Sequence, residues 1–256
     1  MSLPKVSVVI PSFRDPRIVE TIESVKAQHY DADRIEIVVM DGGSADALLT
    51  DIRRALPPGS HLVSEPDDGI YDAINRGLER ATGDAILTIG SDDRLVDADL
   101  FAKVAKEFLG GANVVFCGTA YTDKNWKEIR RWPAYEFKYL NFIIGRQFSH
   151  FALFCGKNIY EKTEYFNCKN KVNADYEFFH KMLKNKKRWN VVARCLPGYG
   201  VQMRMGGASS RDILGIISNN IKILKYILRN DVYLLAGFFL KPVHKAIEVL
   251  RVRLRR

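Results

Sequence analysis

The sequence predicts an α/β protein built on a mixed, mostly parallel sheet with helices on both of its faces. Short apolar runs rich in β-branched residues alternate with segments in which apolar residues recur every three or four positions. Strands that alternate with helices in this way are typical of parallel βαβ units. Three of the predicted strands end in polar or acidic residues. In open α/β sheets, ligands bind at the edge that such strand ends form.

The individual elements follow from this periodicity and from the residues that end each segment. Ser44 is expected to cap the helix after the second strand, and Asn173 to cap a helix late in the chain, because short polar side chains accept hydrogen bonds from the first turn. Gly83 is expected to end the third helix. Strands are predicted at residues 5–10, 34–40, 61–64, 85–90 and 113–117, and helices at 18–29, 47–55, 70–81, 95–109 and 173–185.

The second half of the chain departs from this alternation. After Gly118 the sequence is aromatic and of mixed polarity, which predicts antiparallel strands and loops of the kind that often carry specificity. Residues 198–210 are predicted to form a glycine-rich loop, and the pattern is helical from Arg211 onward. We therefore expect a single catalytic-sized domain at 1–210 and a basic, amphipathic helical tail at 211–256.

Composition favours a globular protein of the cytoplasm. Its 256 residues are 47% hydrophobic, which is ordinary for a protein with a sizeable core. The four cysteines are widely spaced and contain no CxxC pair, so we expect reduced thiols rather than a zinc site. The first residues lack the charged leader and apolar segment of a secretory signal. No apolar run reaches the roughly 18 to 20 residues that a membrane-spanning helix needs.

The positive charge is concentrated at the C-terminus. The net charge is +9, and residues 222–256 hold nine basic against two acidic residues and so supply +7. With only +2 left for the rest of the chain, and no RRM, KH or helix-turn-helix signature, a specific nucleic-acid partner is not expected. The apolar residues of the tail favour binding to an anionic membrane surface. A solvated terminal helix and a homo-oligomer contact are the alternatives.

The sequence Ser91-Asp92-Asp93 after a buried strand has two interpretations. An isolated segment of this kind ordinarily caps the helix that follows. Pro11-Ser12 and Asp41, however, end the first two strands at the same edge of the sheet. One carboxylate there can bind a ribose or base, and another can hold a hard divalent cation that bridges a diphosphate. The combination favours a nucleotide-diphosphate ligand.

Five short segments carry a family resemblance. They are, in order, VSVVIPSF, VVMDGGSAD, EPDDGIYDAINRGLERATGD, the DxD-type sequence SDD, and NADYEFF. Between residues 5 and 210 they resemble the family 2 glycosyltransferases of the GT-A fold, and GIYDAINRG resembles the branch that builds bacterial surface polysaccharides. The resemblance implies that the nucleotide is bound at the end of the first strand and by the acid after the second, which here are Pro11, Ser12, Phe13 and Asp41.

The resemblance also assigns the two acids of SDD. It implies that Asp93 ligates Mg²⁺ or Mn²⁺ and that Asp92 lies at the ribose or donor sugar. The cation would neutralise the negative charge that develops on the nucleoside diphosphate as it leaves. Relatives often carry Lys before the Gly-Ile-Tyr-Asp turn, whereas this chain has Asp68. Arg76 is the candidate to replace that contact with the diphosphate.

The acceptor side of the site is implied in the same way. Asp175 in NADYEFF matches the catalytic base, which takes a proton from the acceptor hydroxyl, and Glu177 is the alternative base. From the residues alone, Asp175 is a helix N-terminal acid, favoured by the helix dipole. His150 in FSHFALF is either an acceptor-region residue or a core histidine. Residues 206–209 resemble a loop that closes over the donor, and are otherwise a plain connection.

The expected function is transfer of a sugar, with inversion, from a nucleotide-diphosphate sugar to a hydroxyl of a growing glycan. The donor is expected to be UDP-linked and the acceptor a glycan or a polyprenyl-linked glycan. The protein is expected to be peripheral at the inner face of the cell membrane. The alternative is a catalytically inactive nucleotide-sugar-binding or membrane-associated subunit, which the presence of both Asp93 and Asp175 disfavours.

Overall fold

A computed structural model of the protein describes residues 2–146, 148–169, 173–205 and 213–254. Within these ranges the strands form a single nine-stranded sheet. The strands are β1 (Val6–Ser12), β2 (Ile35–Asp41), β3 (His61–Ser64), β4 (Ala85–Thr88), β5 (Arg94–Leu95), β6 (Val114–Thr122), β7 (Glu128–Trp132), β8 (Leu153–Cys155) and β9 (Ala193–Arg204). The helices are α1 (Ile18–Lys26), α2 (Asp46–Ala55), α3 (Ile70–Arg80), α4 (Leu100–Leu109), α5 (Tyr139–Ile143), α6 (Lys157–Thr163), α7 (Ala174–Lys184), α8 (Ile213–Asn230) and α9 (Leu235–Leu254).

The sheet has the order β3-β2-β1-β4-β8-β6-β9-β5, and β7 pairs with the C-terminal part of β6. Strands β1 to β4 are parallel, whereas β8 runs antiparallel to both β4 and β6. The long ladder between β6 and β9 is again parallel. The predicted α/β architecture with a mostly parallel sheet is therefore confirmed.

Helices cover both faces of the sheet, because the central strands are apolar on both sides. β1 and β2 are buried along their whole length, as strands between two helical layers must be. α1, α2 and α4 pack on one face in a core that contains Ile22 and Phe101. α3, α6 and α7 pack on the other face in a core that contains Ile74 and Phe178. This packing fixes the strand ends that carry the candidate site.

Two of the sequence-based elements are wrong in their bounds. Residues 198–204 belong to β9 rather than to a loop, because they pair in parallel with the C-terminal half of β6. The helix predicted from Leu95 begins only at Leu100, because Arg94 and Leu95 form β5 and pair with β9. Both errors come from tertiary pairing with β9, which a local pattern does not reveal.

The two predicted helix caps are also wrong in detail. α2 has Ala45 at its N-cap, and the Ser44 hydroxyl donates instead to the Asp41 carboxylate. Asn173 does stand at the N-cap of α7, but its side chain makes no capping hydrogen bond. Its amide donates to the Asn219 carbonyl of α8 at 3.1 Å. Both side chains are thus used to join separate segments.

The C-terminal helices pack back onto the rest of the protein. α8 buries Ile227 in the same core as α7, and its Tyr226 hydroxyl lies 2.8 Å from His180 Nδ1. α9 lies against α5 and β7. The helical pattern predicted for the tail is therefore present over 213–230 and 235–254. In the described part of the chain, no helix combines the length and the apolar character needed to cross a bilayer.

Candidate active site

The ends of the parallel strands bring Ser12 and Asp41 side by side. In the register of the sheet, Ser12 of β1 pairs with Asp41 of β2, which pairs with Ser64 of β3. Asp41 accepts hydrogen bonds from the Gly43 and Ser44 backbone N–H groups at 3.0 and 2.7 Å. The Ser44 and Ser64 hydroxyls donate to it at 2.6 and 2.7 Å. Burial opposes the charge, but these donors hold the pKa of Asp41 below its usual value, so the carboxylate is ionised.

The segment after β1 offers an unpartnered hydroxyl and an open aromatic ring. The Ser12 hydroxyl is buried and has no hydrogen-bond partner among the described residues. The Phe13 side chain is 60% exposed, and a Cβ at Gly42 would lie 3.0 Å from its ring. A buried hydroxyl without a protein partner calls for one from a ligand or water. This end of the sheet is therefore suited to a ligand with polar groups and a flat ring.

The loop after β4 buries Asp93 beside Asp92. Asp93 is only 3% exposed. The Thr21 hydroxyl of α1 donates to the Asp93 carbonyl at 2.6 Å, and the Arg204 N–H at the end of β9 donates to Asp93 Oδ1 at 3.1 Å. A Cβ at Gly90 would lie 2.7 Å from Asp93 Oδ2, so glycine leaves the room that this carboxylate occupies. Three separate elements thus fix the position of Asp93.

The surroundings of Asp93 disfavour its negative charge. Burial, together with the neighbouring Asp92 carboxylate, raises the pKa of Asp93 to about 8. Burial also raises the pKa of Asp92, although Arg17 Nη1 lies 3.2 Å from Asp92 Oδ2. A divalent cation is the natural partner for two adjacent carboxylates with this deficit of positive charge, and hard cations prefer oxygen ligands. The residues present therefore fit such an ion.

Substrate phosphates and water would complete the ligand set of a cation at Asp93. Among the described residues, no group of three or more His, Cys, Asp or Glu side chains is arranged to hold a metal. Mg²⁺ commonly binds through one or two carboxylates together with substrate phosphates and water. Asp93, with Asp92 next to it, matches that smaller set of protein ligands.

A second carboxylate, Asp175, stands in the first turn of α7 beside two aromatic side chains. His150 Nδ1 lies 3.5 Å from Asp175 Oδ2, and the Tyr71 hydroxyl donates to Oδ1 at 3.3 Å. The Tyr176 N–H donates to Oδ1 at 2.9 Å. Burial opposes the charge, but the interaction with His150, the charge of Lys241 and the Tyr176 N–H together outweigh it and hold the pKa of Asp175 below its usual value. Asp175 is therefore ionised and able to accept a proton.

Tyr121 of β6 lies within electrostatic reach of both acidic centres. Burial raises the pKa of its phenol, and the charges of Asp93 and Asp175 raise it further, against the opposing effect of Arg130. The Thr88 hydroxyl of β4 donates to the His150 carbonyl at 3.3 Å, which ties the Asp175 side to the strand that leads to Asp93. The site therefore combines a buried carboxylate whose charge is disfavoured with an ionised carboxylate that can take a proton.

Arg76, predicted to contact the diphosphate, is paired in the structure with groups of its own chain. It forms an ion pair with Glu65, lies 3.8 Å from Asp72 Oδ2, and donates to the Pro66 carbonyl at 3.3 Å. These partners hold the guanidinium beside the turn that contains Asp68. A contact between Arg76 and a diphosphate would require these interactions to be given up.

The remaining predictions for the site concern His150, Glu177 and the loop at 206–209. The structure places His150 beside Asp175, and its assignment to the acceptor region stays a prediction. Glu177 lies about 200° further round α7 than Asp175 and so faces a different direction. Its carboxylate accepts a hydrogen bond from the Asn167 amide at 3.0 Å and lies 3.5 Å from Lys181 Nζ. The predicted donor-closing loop at 206–209 lies outside the described residues.

Sequence reasoning missed Tyr71, Arg17 and Arg204. Tyr71 lies inside the GIYDAINRG segment, where a tyrosine on an otherwise aliphatic helix face is a signal that its hydroxyl has a buried partner. Arg17, at the N-cap of α1, reaches the SDD loop through its guanidinium, and Arg204, at the end of β9, reaches it through its backbone N–H. No local pattern distinguishes these two arginines from surface arginines, because only the folded sheet brings them to the loop.

The fold is of the GT-A type, in which a mostly parallel sheet carries a site at its strand ends. Residues 7–168 match Glycosyl transferase family 2, which covers more than half of the chain. The protein belongs to this family.

Characterised and uncharacterised relatives agree with this assignment. An uncharacterized glycosyltransferase of Mycobacterium tuberculosis is 33% identical over 179 residues, which are 69% of this chain and 68% of the relative. A PGL/p-HBAD biosynthesis glycosyltransferase of Mycobacterium bovis is 31% identical over 185 residues, or 70% of this chain and 69% of the relative. Both relatives are named as glycosyltransferases, in agreement with the family assignment.

Solved structures support the fold. Residues 1–349 of S. aureus TarS in complex with UDP-GlcNAc superpose with a TM-score of 0.62 at 17% identity, over 86% of this chain and 66% of that one. A mannosyltransferase from Pyrobaculum calidifontis in complex with GDP-Man and Mn²⁺ gives 0.62 at 20% identity, over 98% and 75%. The chain spans 43% of the longer TarS chain.

Proposed function

We propose that the protein is a metal-dependent inverting glycosyltransferase that moves a sugar from a nucleotide-diphosphate sugar to an acceptor hydroxyl. The observation that carries this proposal is the pair of unlike carboxylates. Asp93 is buried with its pKa raised to about 8, whereas the pKa of Asp175 is held below its usual value. One carboxylate therefore needs a cation while the other is ready to accept a proton, and glycosyl transfer uses both.

Asp175 acts as the general base in this proposal. It takes the proton of the acceptor hydroxyl as the oxygen attacks the anomeric carbon from the face opposite the nucleotide. The bond between that carbon and the diphosphate oxygen breaks, and the nucleoside diphosphate leaves with its electron pair. His150 and Tyr71 keep the carboxylate oriented through their contacts with its two oxygens. After transfer the proton on Asp175 is passed to solvent.

Asp93 would hold Mg²⁺ or Mn²⁺, with Asp92 beside it at the donor. When bound, the cation supplies positive charge to the departing diphosphate. The mannosyltransferase from Pyrobaculum calidifontis, whose structure contains GDP-Man and Mn²⁺, supports a cation in this fold. Arg17 lies 3.2 Å from Asp92 Oδ2 and so limits the negative charge that the ion alone would have to offset.

The nucleotide would bind where β1 and β2 end. The unpartnered Ser12 hydroxyl offers a hydrogen bond to the ligand, and the exposed Phe13 ring next to Pro11 offers a face for the base. Asp41 accepts hydrogen bonds from Gly43, Ser44 and Ser64, so it would shape this pocket at the ends of β2 and β3. The TarS structures with UDP-GlcNAc and with UDP support a UDP-linked donor.

The acceptor would be a lipid-linked glycan at the inner face of the cell membrane. α9 presents an exposed apolar face to solvent, formed by Phe239, Val243, Ile247, Leu250 and Leu254. Basic residues are interspersed along the same helix, and each cation near an anionic surface contributes on the order of 1 kcal/mol. The face would therefore seat the protein on anionic lipid.

The base assignment is tested with Asp175→Asn. Turnover of a UDP-sugar or GDP-sugar with a suitable acceptor should fall on the order of 10³-fold, because the general base is lost. Nucleotide binding, measured separately by calorimetry, should stay close to that of the wild type. Glu177→Gln is the matched control: it removes the same charge from the same helix and should keep its turnover. Equal activity of Asp175→Asn and the wild type would remove Asp175 as the base.

The membrane proposal is tested by flotation on vesicles of phosphatidylglycerol and of phosphatidylcholine. Changing Phe239, Val243 and Leu250 together to Ser should release the protein from the anionic vesicles, because buried apolar area and charge act together in interfacial binding. Undiminished binding of this variant would refute the proposed membrane face.

A matched control uses exposed leucines at other places on the surface. Changing Leu3, Leu109 and Leu140 to Ser should leave vesicle binding intact. Light scattering of the same proteins measures the homo-oligomer alternative, in which the α9 face binds a second copy. A dimer that dissociates only in the α9 variant, with no vesicle binding by either protein, would assign the face to self-association.

A further inference from the structure

One indole ring, that of Trp126, contacts two arginines beside the SDD loop. Trp126 lies in the turn between β6 and β7 and is half-buried. The guanidinium carbon of Arg94 lies 3.8 Å from the centre of its ring, and that of Arg204 lies 4.0 Å from the same centre. A guanidinium within about 6 Å of an indole face is attracted by the quadrupole of the ring. The ring therefore joins β5 and the end of β9 to the β6–β7 turn.

The two arginines flank Asp93, the proposed ligand of the cation. Arg94 follows Asp93 directly in the chain, and Arg94 Nε donates to Gln202 Oε1 of β9 at 2.8 Å. The Arg204 N–H donates to Asp93 Oδ1 at 3.1 Å. Asp93 is thus held through its own chain on one side and through its carboxylate on the other. Both connections lead back to Trp126.

The turn between β6 and β7 has a conformation fixed by its own hydrogen bonds. Asp123 Oδ1 accepts from the Asn125 and Lys127 N–H groups at 2.9 and 2.8 Å. Thr122, the last residue of β6, lies opposite Arg204 in the ladder between β6 and β9. The turn therefore begins beside the residue whose N–H reaches the SDD loop.

Trp126 has a backbone conformation that a bulky side chain rarely adopts. Its φ is +62°, in the left-handed region, where Cβ comes close to the following carbonyl. Glycine or asparagine adopts this conformation at lower cost. Such positions persist where the surrounding structure over-determines them, and they are concentrated at functional sites. The contacts of the ring with Arg94 and Arg204 offset the cost at this one.

The hydrogen bond from the Arg204 N–H fixes the rotation of the Asp93 carboxylate. The Arg204 guanidinium is engaged by the indole and by Glu20 of α1, which accepts from Nη2 at 2.8 Å, so the contact with Asp93 is made by the backbone. Carboxylates that ligate metals are commonly oriented by such hydrogen bonds, and losing one typically costs about 10- to 100-fold in metal affinity.

We propose that Trp126 is a positioning residue for the cation at Asp93. By holding Arg94 and the end of β9, the indole keeps the Arg204 N–H on the Asp93 carboxylate and so fixes the orientation of that carboxylate. The proposal rests on the metal-dependent function proposed above and deepens it, because it gives the β6–β7 turn a part in cation binding. Trp126 acts through the two arginines.

The first test measures Mn²⁺ binding to the whole protein in saturating UDP or GDP, by electron paramagnetic resonance. Trp126→Asn should weaken Mn²⁺ binding about tenfold, because the ring is lost while asparagine still suits the left-handed conformation. Trp126→Phe keeps an aromatic face and should retain most of the affinity. Lys124→Asn, at an exposed position in the same turn, is the matched control and should bind as the wild type does.

Two outcomes of this test contradict the account at different levels. Equal Mn²⁺ affinity of Trp126→Asn and the wild type would overturn the role of Trp126 and leave the metal site in place. A wild type that binds no Mn²⁺ would reject the metal site itself and this inference with it.

A second measurement follows the Arg204 N–H in the metal-free protein. Hydrogen exchange of that amide, resolved by NMR, should be at least about tenfold faster in Trp126→Asn than in the wild type, because its hydrogen bond to Asp93 opens more often. Unchanged exchange would show that the β6–β9 ladder alone holds the amide, and would reject the proposal. Since this readout involves neither metal nor turnover, it is independent of the enzymatic function.

UDP binding in EDTA separates the cation from the diphosphate. Without metal, Trp126→Asn should bind UDP as tightly as the wild type does, which also shows that the variant is folded. A loss of UDP affinity in EDTA that matches the loss in Mn²⁺ would assign Arg94 and Arg204 to the nucleotide and refute their action on Asp93.

Discussion

Glu36 and Asp93 are two almost fully buried carboxylates at opposite ends of the parallel strands, and their environments have opposite effects. Glu36 is 1% exposed and accepts hydrogen bonds from Lys5, Ser7 and Thr82. Burial opposes its charge, but these donors lower the pKa of Glu36 to about 2. Asp93, 3% exposed, faces a second acid instead, and its pKa rises to about 8.

This difference separates a structural carboxylate from a functional one. Glu36 has every donor it needs within the protein, so it holds β2 to the loop before β4 and needs no ligand. Asp93 is equally buried but its charge is left uncompensated, which costs stability in the folded protein. A buried carboxylate at a sheet edge that lacks an opposite charge within the protein is typical of a site where a ligand supplies that charge.

The largest expected effect is on turnover. Asp93→Asn should reduce sugar transfer on the order of 10³-fold, because it removes the ligand for the cation that stabilises the leaving diphosphate. Asp51→Asn, at an exposed position on α2, should have no such effect. Steady-state kinetics with a sugar nucleotide and Mn²⁺ gives both values. Full activity of Asp93→Asn would place the cation elsewhere.

The second prediction concerns the free energy of unfolding, on which the change at Glu36 should have a larger effect than the change at Asp93. Glu36→Gln should lower the free energy of unfolding by about 2 to 3 kcal/mol, because it breaks a buried hydrogen-bonded ion pair. Asp93→Asn should cause no loss in the metal-free protein and can increase stability. Urea denaturation in EDTA measures both. If Asp93→Asn were destabilised and Glu36→Gln were not, the assignment of Glu36 as the structural carboxylate and Asp93 as the functional one would be contradicted.

The smallest effect is a difference in pH dependence. The folded pKa of Asp93, about 8, lies above its ordinary 3.8, so the folded state binds the extra proton and metal-free stability falls as pH rises between these values. The slope is at most about 1.4 kcal/mol per pH unit. Glu36 acts in the opposite sense: its contribution is present above 4.5 and is lost as pH falls toward about 2.

Unfolding measurements at several pH values between about 5 and 7 test this sign. The contribution of Glu36 is constant in that window, so the difference between wild type and Asp93→Asn isolates Asp93. The wild type should lose stability relative to the variant as pH rises. A difference that does not change with pH would show that Asp93 has an ordinary pKa.

Local sequence predicted the strand-end acids but not the residues that complete the site. Asp41 and Asp93 follow apolar runs, and parallel strands bring such ends to one edge, so their grouping follows from periodicity alone. The role proposed for Asp175 came from the family resemblance, because a helix N-terminal acid has no local feature of a base. The structure adds its contacts with His150 and Tyr71.

Long-range pairing explains what the sequence could not show. Residues 198–204 have a loop-like composition but become part of β9 because β6 lies beside them. In the sequence Lys241 is one charge of a basic tail, yet α9 folds back against α5 and β7, where burial lowers the pKa of Lys241 to about 8. In both cases the deciding contact joins segments far apart in the chain, and no periodicity within either segment encodes it.

The most direct measurement is nucleotide binding with and without metal. Calorimetry should show that the wild type binds UDP or GDP in Mn²⁺ and that binding weakens at least about tenfold in EDTA, because Asp93 would hold the cation that offsets the charge of the diphosphate. Asp93→Asn should lose this metal dependence, while Asp51→Asn should keep it. Binding that is equally tight in EDTA, or a metal dependence that survives in Asp93→Asn, would contradict a cation site at Asp93.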